Sequence, residues 1–375
     1  MSSAARPLHV VHAFATFAPG GPQVRTARLI DALGDSFRHS VLPMDGNASA
    51  LERVTRRELV TIVDAERGRH GGTLRYARWL GAKIASLAPD LLITYNWGAM
   101  DAVLGARLRG IAPWIHAEDG FGPDEAVSFK RRRVWMRRLL LPRASAVIVP
   151  SRNLERIARS TWRLAAEQVR FIANGIDLDH FLPGDAAELR RELGLQPGDV
   201  LIGTVAHLRA EKDPLALLEG FSTIAAAHPR AHLLFVGDGV LGEELTRRTA
   251  ELGLTARVHR LGFVPNPLAC YRAMDVFALS SRTEQMPISL LEAMGCAKAV
   301  VSTGVGDVAL MVAEANRAYV VPPGDRDAYA RALGALCGDA QLRAALGRAN
   351  RAEAERHFDQ RAMVETYRRL WSGLP

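Results

Sequence analysis

Two series of short, continuously apolar runs, each alternating with stretches of helical periodicity, restrict this chain to very few folds. In the first half "LHVVHAF", "HSVLPM", "ELVTIV", "DLLITY", "PWIHAE" and "SAVIVPS" read as strands, with helical segments such as Arg25 to Leu33 and Leu74 to Leu87 between them. Strands that are apolar on both faces belong in a parallel sheet with helices on each side. "VRFIANGIDLDHFLPGD" breaks the rhythm with Asn-Gly, Pro-Gly and several acids, and reads as a domain boundary. The alternation then restarts with "VLIGTVAHL", "HLLFVGDG", "RVHRLGF", "DVFALSS", "AVVST" and "AYVVPP", with helices at Asp213 to Ala227, Leu241 to Leu252 and Pro287 to Ala297; Leu342 to Trp371 is helical. The expected class is α/β: two doubly wound parallel-sheet domains, 1–177 and 178–355, facing across a cleft. Ligands of such sheets bind at the carboxyl ends of the strands.

A chain of 375 residues has room for a full core in each half. Cys270, Cys296 and Cys337 are odd in number, far apart and set among apolar residues, so neither a disulfide framework nor a zinc site is expected, and a cytoplasmic location fits. Pro7, the histidines and "PGGP" spoil the reading of the N-terminus as a signal peptide. No uncharged run approaches the roughly 18 residues that span a bilayer. The net charge of +8 is concentrated in "AVSFKRRRVWMRRLLLPR", where Lys130, Arg131, Arg132, Arg133, Arg137, Arg138 and Arg143 meet no acid. With Phe129, Val134, Trp135 and Leu139 interleaved, this reads either as an amphipathic helix for an anionic membrane surface or as a solvated helix packed on its own core. No nucleic-acid-binding motif accompanies it.

"SSRTEQMPISLLEAMGCAKAVVS" poses the chemical question. Glu292 is the only charge between Gln285 and Ala297, in company that reads as a buried helix. Pro287 suits a first helical position, so the amides of Met286, Ile288 and Ser289 would present the positive end of a helix to an anion such as a phosphate. Glu292 leans back toward that end and Glu284 sits ahead of it. A buried carboxylate needs hydrogen-bonding partners. The hydroxyls of a sugar nucleotide would supply them, and so would a purely structural arrangement in which Glu284 caps the helix and Glu292 pairs with an arginine.

The E-x7-E spacing of Glu284 and Glu292, within "SRTEQMPISLLEAMGCAKAVVSTGVGD", resembles the signature of retaining glycosyltransferases of family 4, which have the GT-B fold of two Rossmann-like domains. "FAPGGPQVRTARLIDAL", "ANGIDLDHF", "VAHLRAEKDPLALLEGF", "LLFVGDGVLGEEL" and "VHRLGFV" resemble further blocks of that family in the same order. The resemblance implies Glu292 on the donor ribose, Glu284 on the transferred sugar, and Met286, Pro287, Ile288, Ser289 and Leu291 around the donor. It places Gly237 and Phe263 on the nucleotide side. Lys212 would neutralise the leaving diphosphate together with a basic residue. At that place the family has "GRL", whereas this chain has "AHL", so His207 or Arg209 takes the part; alternation along the strand end would put both on one face. Gly20 and Gly21 form the glycine loop of the first domain, and His116 matches the histidine near the transferred sugar, with Glu118 and Asp119 beside it. Residues 356–375 would form a helix packed back on the first domain.

The chain departs from the family pattern at Asp119, where a second histidine is common, at Leu310, where many relatives have Glu, and at Ala297 and Ala299, where "GxP" is common. The implied reaction moves a hexose-type sugar from a nucleotide-diphosphate donor to an acceptor hydroxyl with retention, in surface polysaccharide or glycolipid assembly. No cofactor or metal is expected, since cationic side chains and helix amides can take the leaving-group charge. "DLD" at Asp177 to Asp179 falls in the interdomain turn and lacks the context of a metal-binding D-x-D. Two other readings stand beside this one: a sugar-nucleotide epimerase or phosphorylase on the same fold, and a non-enzymatic polyanion-binding protein using the basic stretch.

Overall fold

The computed structural model describes residues 6–67, 71–122, 125 and 128–374; Ala126 and Val127, at the head of the basic stretch, lie outside them. The chain divides into two compact units, Met1–Asn174 with Ala362–Pro375, and Gly175–Arg361. The chain therefore passes between units at 174/175 and 361/362, where the sequence suggests 177/178 and 355/356.

In the first unit the strands are β1 (Leu8–Phe14), β2 (Phe37–Pro43), β3 (Val60–Ile62), β4 (Leu91–Tyr95), β5 (Trp114–Ala117), β6 (Ala146–Val149) and β7 (Val169–Phe171). The helices are α1 (Gly21–Leu33), α2 (Thr73–Ser86), α3 (Met100–Arg109), α4 (Arg131–Leu140) and α5 (Arg152–Ser160). The strands pair in the order β3-β2-β1-β4-β5-β6-β7, every pair parallel. β4 is buried at every position, as a strand with helices on both faces must be. β7 was not expected: only three residues long and with Arg170 exposed, it carries too short an apolar run to stand out from the linker, yet it pairs with β6 through Val147 and Val169.

The second unit contains β8 (Val200–Val205), β9 (Ala231–Val236), β10 (Val258–Arg260), β11 (Val276–Leu279), β12 (Ala299–Thr303) and β13 (Val320–Val321). Its helices are α6 (Ala187–Glu192), α7 (Pro214–Ile224), α8 (Gly242–Glu251), α9 (Leu268–Ala273), α10 (Ile288–Gly295), α11 (Val308–Met311), α12 (Arg326–Gly338) and α13 (Ala340–His357). The order is β10-β9-β8-β11-β12-β13, again all parallel. The order reverses between β8 and β11, the place where such sheets open their strand ends to a ligand.

The helical tail is two helices. Ile176 inserts its backbone where they meet, donating its N–H to Phe358 O at 2.8 Å and accepting from Gln360 N at 3.0 Å, which ends α13 and starts α14 (Gln360–Ser372). α14 contributes Met363, Val364, Tyr367 and Trp371 to the core of the first unit, against Val10, Phe37 and Leu91. Among the described residues no helix is long and apolar enough to cross a membrane. The three cysteines are free and buried.

Candidate active site

β8 and β11 each end in a loop that carries a charge. The loop after β11 holds Glu284, whose Oε1 accepts from Lys212 Nζ at 2.5 Å and from Ser281 Oγ at 2.8 Å. Lys212 comes from the loop after β8, and the two loops are bound together independently of this ion pair. Ser280 Oγ donates to the carbonyls of Lys212 and Asp213 at 3.1 and 2.8 Å, Arg282 Nε meets Asp213 at 2.6 Å, and Arg282 N donates to Glu211 O at 2.8 Å. Gly306 presses on this loop from the end of β12. Its φ is 56°, and a Cβ there would lie 2.3 Å from Glu284 O, so both conformation and contact require glycine.

α10 follows directly. Pro287 is its N-cap, extended at φ −66° and ψ 121°, so the helix starts at Ile288, one residue later than the proline suggests. The amides of the first turn, from Ile288 and Ser289 onward, have no carbonyl within the helix to bond, and the helix dipole favours negative charge in front of them. Met286 and Pro287 are buried and Ile288 and Ser289 half-buried. Leu291 is fully buried among the core residues. Glu292, 9% exposed, accepts a hydrogen bond at 2.8 Å from the hydroxyl of Tyr271 in α9. Burial, and then the charge of Glu292, raises the Tyr271 pKa well above its ordinary value, so the phenol remains a donor. Tyr271 carries no signal in the sequence, where an aromatic residue in "LACYRA" reads as ordinary core.

Three more loops are joined above β8, β9 and β10. Ala206 N donates to Val236 O, Leu208 N to Asp238 O, Gly237 N to Gly262 O, and Phe263 N to the Asp238 carboxylate. Gly237 has φ 131°, and a Cβ would lie 2.1 Å from Ala206 O. Phe263 is 52% exposed, an aromatic face presented at a strand end. His207 and Arg209 are exposed on either side of buried Leu208, and Arg209 Nε pairs with Glu211 Oε1 at 3.0 Å.

In the first unit His116 is fully buried in β5. Its Nδ1 lies 2.8 Å from Thr94 Oγ1, and its Nε2 is 3.5 Å from Glu118 Oε2, at the limit of a hydrogen bond. Glu118 is held mainly by Arg137, from Nε at 2.9 Å and Nη2 at 3.3 Å; Arg137 Nη1 also reaches Glu125 at 3.4 Å. Burial works to raise the Glu118 pKa, but Arg137 and then His116 together outweigh it and keep the carboxyl below its ordinary value. Asp119, in place of the family's second histidine, binds Arg25 of α1 through both terminal guanidinium nitrogens, and Arg25 Nη1 also donates to Asn174 at 3.0 Å. Burial opposes the Arg25 charge, yet Asp119 raises its pKa above the ordinary value. Gly20 is the extended N-cap of α1 at φ −165° and Gly21 its first residue.

The basic stretch is only partly a surface. Arg137 is completely buried, its guanidinium 4.9 to 5.8 Å from the ring centres of Trp97, Phe121 and Trp162, and cannot touch a membrane. Arg133 turns inward to Glu125 at 3.0 Å and lies over Trp97, and Arg138 donates to Thr161 O. Arg131 and Arg132 remain exposed, beside Trp135 at 62% and Leu139 at 50% exposure. Arg67, Lys130, Arg132 and Arg133 line a hollow of about 420 Å³ with Trp97 and Asp101, where cations outnumber the single carboxylate.

Known protein families match both units. The family described as "Glycosyl transferases group 1" matches residues 185–353, and "Glycosyl transferase 4-like domain" matches residues 20–175. The chain is a glycosyltransferase of the GT-B type, 4-like in its first domain and group 1 in its second. That sets aside the non-enzymatic reading of the basic stretch. Its relatives include D-inositol 3-phosphate glycosyltransferases. The one from Corynebacterium jeikeium (strain K411) is 27% identical over 310 residues, 76% of this chain and 73% of that protein. The one from Segniliparus rotundus is 30% identical over 201 residues, but the match takes in only 51% of this chain and 44% of that protein. Similar solved structures include Anabaena Alr3699/HepE in complex with UDP and glucose, with a TM-score of 0.83 and 22% identity over 97% of this chain and 99% of that one. Sucrose-phosphate synthase from Thermosynechococcus elongatus gives a TM-score of 0.80 at 22% identity, over 97% and 100% of the two chains. At these identities the likeness is one of fold.

Proposed function

We propose that this enzyme transfers a hexose from a nucleoside diphosphate to a hydroxyl of a phosphate-bearing acceptor, with retention of anomeric configuration. The observation that carries the donor half is the constellation at the N-terminus of α10: Glu284 held by Lys212 and Ser281, then the helix amides, then Glu292 held by Tyr271. Glu292 takes the ribose hydroxyls, Glu284 the hexose hydroxyls, and Lys212 with the amides at Ile288 and Ser289 the diphosphate. Arg209, released from Glu211, or His207 adds a second positive charge. Phe263 and the glycine turn at Gly237 receive the nucleoside. The complexes of the Anabaena protein with UDP and with UDP-glucose support such a donor.

In the reaction the acceptor oxygen bonds to the hexose C1 on the face from which the diphosphate leaves. The bond from C1 to the phosphate oxygen breaks, and that oxygen takes the acceptor proton. Catalysis is then positioning plus stabilisation of the departing charge, by groups this chain supplies without a metal ion. The acceptor belongs to the first unit, where His116 and the glycine loop at Gly20 and Gly21 match the family pattern. The basic hollow lined by Arg67, Lys130, Arg132 and Arg133 supports an acceptor with a phosphate, a chemistry shared by inositol phosphates and by phosphate-linked lipids. Arg131, Arg132, Trp135 and Leu139 would bring the enzyme to an anionic cytoplasmic membrane face in the lipid case.

Thermal shift against a panel of nucleotide sugars, with EDTA present, tests the donor half in wild type and Glu292→Ala. Stabilisation by one donor that disappears in the variant is expected. A donor shift that survives in Glu292→Ala would remove Glu292 from the site.

A further inference from the structure

A second cavity opens at the carboxyl ends of β11, β12 and β13, between the N-termini of α7 and α12, with a volume of about 470 Å³. That is within the range of small-molecule sites. Tyr329, 4% exposed, is among the lining residues, and its buried hydroxyl has no hydrogen-bond partner among the described residues. An orphaned buried hydroxyl is costly, and native structures contain few. Burial and the nearby Asp213 carboxylate both raise its pKa, so it is a proton donor at every ordinary pH.

The remaining lining shows what would satisfy it. Its charged members are Asp213, Arg282, Asp325 and Arg326, two of each sign. Asp213 and Arg282 neutralise each other at 2.6 Å, and Arg326 is paired with Glu219 outside the lining. Ser280 and Thr303 spend their protons on backbone carbonyls and keep acceptor lone pairs. With Arg326 drawn to Glu219, Asp325 faces no opposite charge within the lining, so the wall disfavours anions and offers acceptors to a ligand whose hydroxyl groups both donate and accept. We propose that this cavity binds a neutral polyhydroxyl molecule, a mono- or disaccharide, and that Tyr329 donates to one of its hydroxyls.

The cavity adjoins the reacting groups without being made of them. Ser281 lines it and donates Oγ to Glu284; Asp213, in left-handed backbone at φ 46°, follows Lys212 directly and is the N-cap of α7 without capping it. A sugar that draws Arg282 or Asp213 therefore moves the loop that positions Lys212, and the cavity acts as an effector site on transfer.

The experiment is calorimetric titration of the full chain with glucose, sucrose and myo-inositol, in wild type, Tyr329→Phe, Ala216→Phe and Glu292→Ala. Saturable binding of at least one sugar is expected, weakened about tenfold in Tyr329→Phe, abolished in Ala216→Phe, which fills the cavity, and unchanged in Glu292→Ala. Basal transfer in Tyr329→Phe remains at the wild-type rate, while the sugar's effect on it is lost. Two outcomes overturn the proposal: no saturable binding of any of the three sugars, or binding that survives Tyr329→Phe and disappears in Glu292→Ala, which would place the sugar in the donor site. Because donor binding is read separately by thermal shift, either failure leaves the proposed transfer reaction to stand or fall on its own test.

Discussion

Replacing Arg137 by methionine separates a surface role for the basic helix from a structural one. Methionine keeps most of the volume among Trp97, Phe121 and Trp162 but removes the charge. Glu118, itself completely buried, then loses contacts at 2.9 and 3.3 Å and keeps, among the described residues, His116 Nε2 at 3.5 Å. Breaking one side of a buried ion pair costs about 3 to 5 kcal/mol. For a unit of this size each kcal/mol lowers the melting temperature by about 2 to 4 °C, so Arg137→Met should melt about 6 to 20 °C below wild type. Calorimetric scans would measure this, with Arg132→Met on the exposed face of the same helix as the control, expected within about 2 °C. The double variant Glu118→Leu, Arg137→Met should regain most of the loss, because apolar replacement of a whole buried pair is often neutral.

The pH dependence gives a second check on the same pair. In wild type Glu118 has a folded pKa below its ordinary value of 4.5, so its contribution is present above that pH and is lost as pH falls. Without Arg137, burial is opposed by His116 with far less help, so the Glu118 pKa rises, which favours the folded state at low pH. The gap in melting temperature between Arg137→Met and wild type should therefore narrow from pH 7 toward pH 4. A single variant that melts within about 2 °C of wild type, or a gap that widens in acid, would refute the assignment of Arg137 as the counter-ion of Glu118.

Three further outcomes follow from the site and the core. Tyr271→Phe removes a hydrogen bond to a buried carboxylate, about 1.5 to 3 kcal/mol, and should raise KM for the donor at least tenfold with little change in kcat; an unchanged KM would remove Tyr271 from donor binding. Lys212→Met should lower kcat by about 10²- to 10³-fold, the effect of losing one preorganised group at a developing negative charge, and a loss confined to KM would contradict that role. Burial, and secondarily His9, lowers the His39 pKa from 6.5 to about 3. The unfolded chain therefore binds the proton more readily, and this contribution to stability is complete above pH 6.5 and declines toward pH 3 by up to about 1.4 kcal/mol per unit. Urea denaturation of wild type should fall off more steeply between pH 6.5 and 5 than that of His39→Gln, and parallel curves would count against it.

The strands were legible because a parallel sheet buried on both faces writes itself as uninterrupted apolar runs, and the class followed from their alternation with helices. β7 escaped because three residues with an exposed Arg170 do not make such a run. The inward turn of Arg137 escaped for a different reason: its partner Glu118 lies 19 residues away in the loop after β5, and local pattern reports which residues share a helix face, not which acid waits opposite. Tyr271 and Glu292, 21 residues apart, and Arg25 and Asp119, 94 apart, are paired in the same nonlocal way. A separate helix near 356–375 was expected, but no glycine or proline marks where α13 stops and α14 starts; the backbone of Ile176 makes that break.

The pairing of Lys212 with Glu284 bears on how such a site can tell a nucleotide sugar from a nucleotide. At 2.5 Å, with exposures of 23% and 9%, each group partly satisfies the other before any ligand arrives. A diphosphate competes for Lys212 and leaves Glu284, a nearly buried carboxylate, with Ser281 as its other partner. Hexose hydroxyls can take up the acceptor capacity so released, so the sugar is favoured most strongly when the diphosphate is already in place. The donor nucleotide-hexose should accordingly bind more tightly than its nucleoside diphosphate by more than the sugar's own contacts would suggest, and that margin should shrink in Glu284→Gln, whose amide has no charge to leave uncompensated. Equal margins in the two proteins would mean that Lys212 never leaves Glu284, and the positive charge on the diphosphate would then have to come from Arg209 or His207.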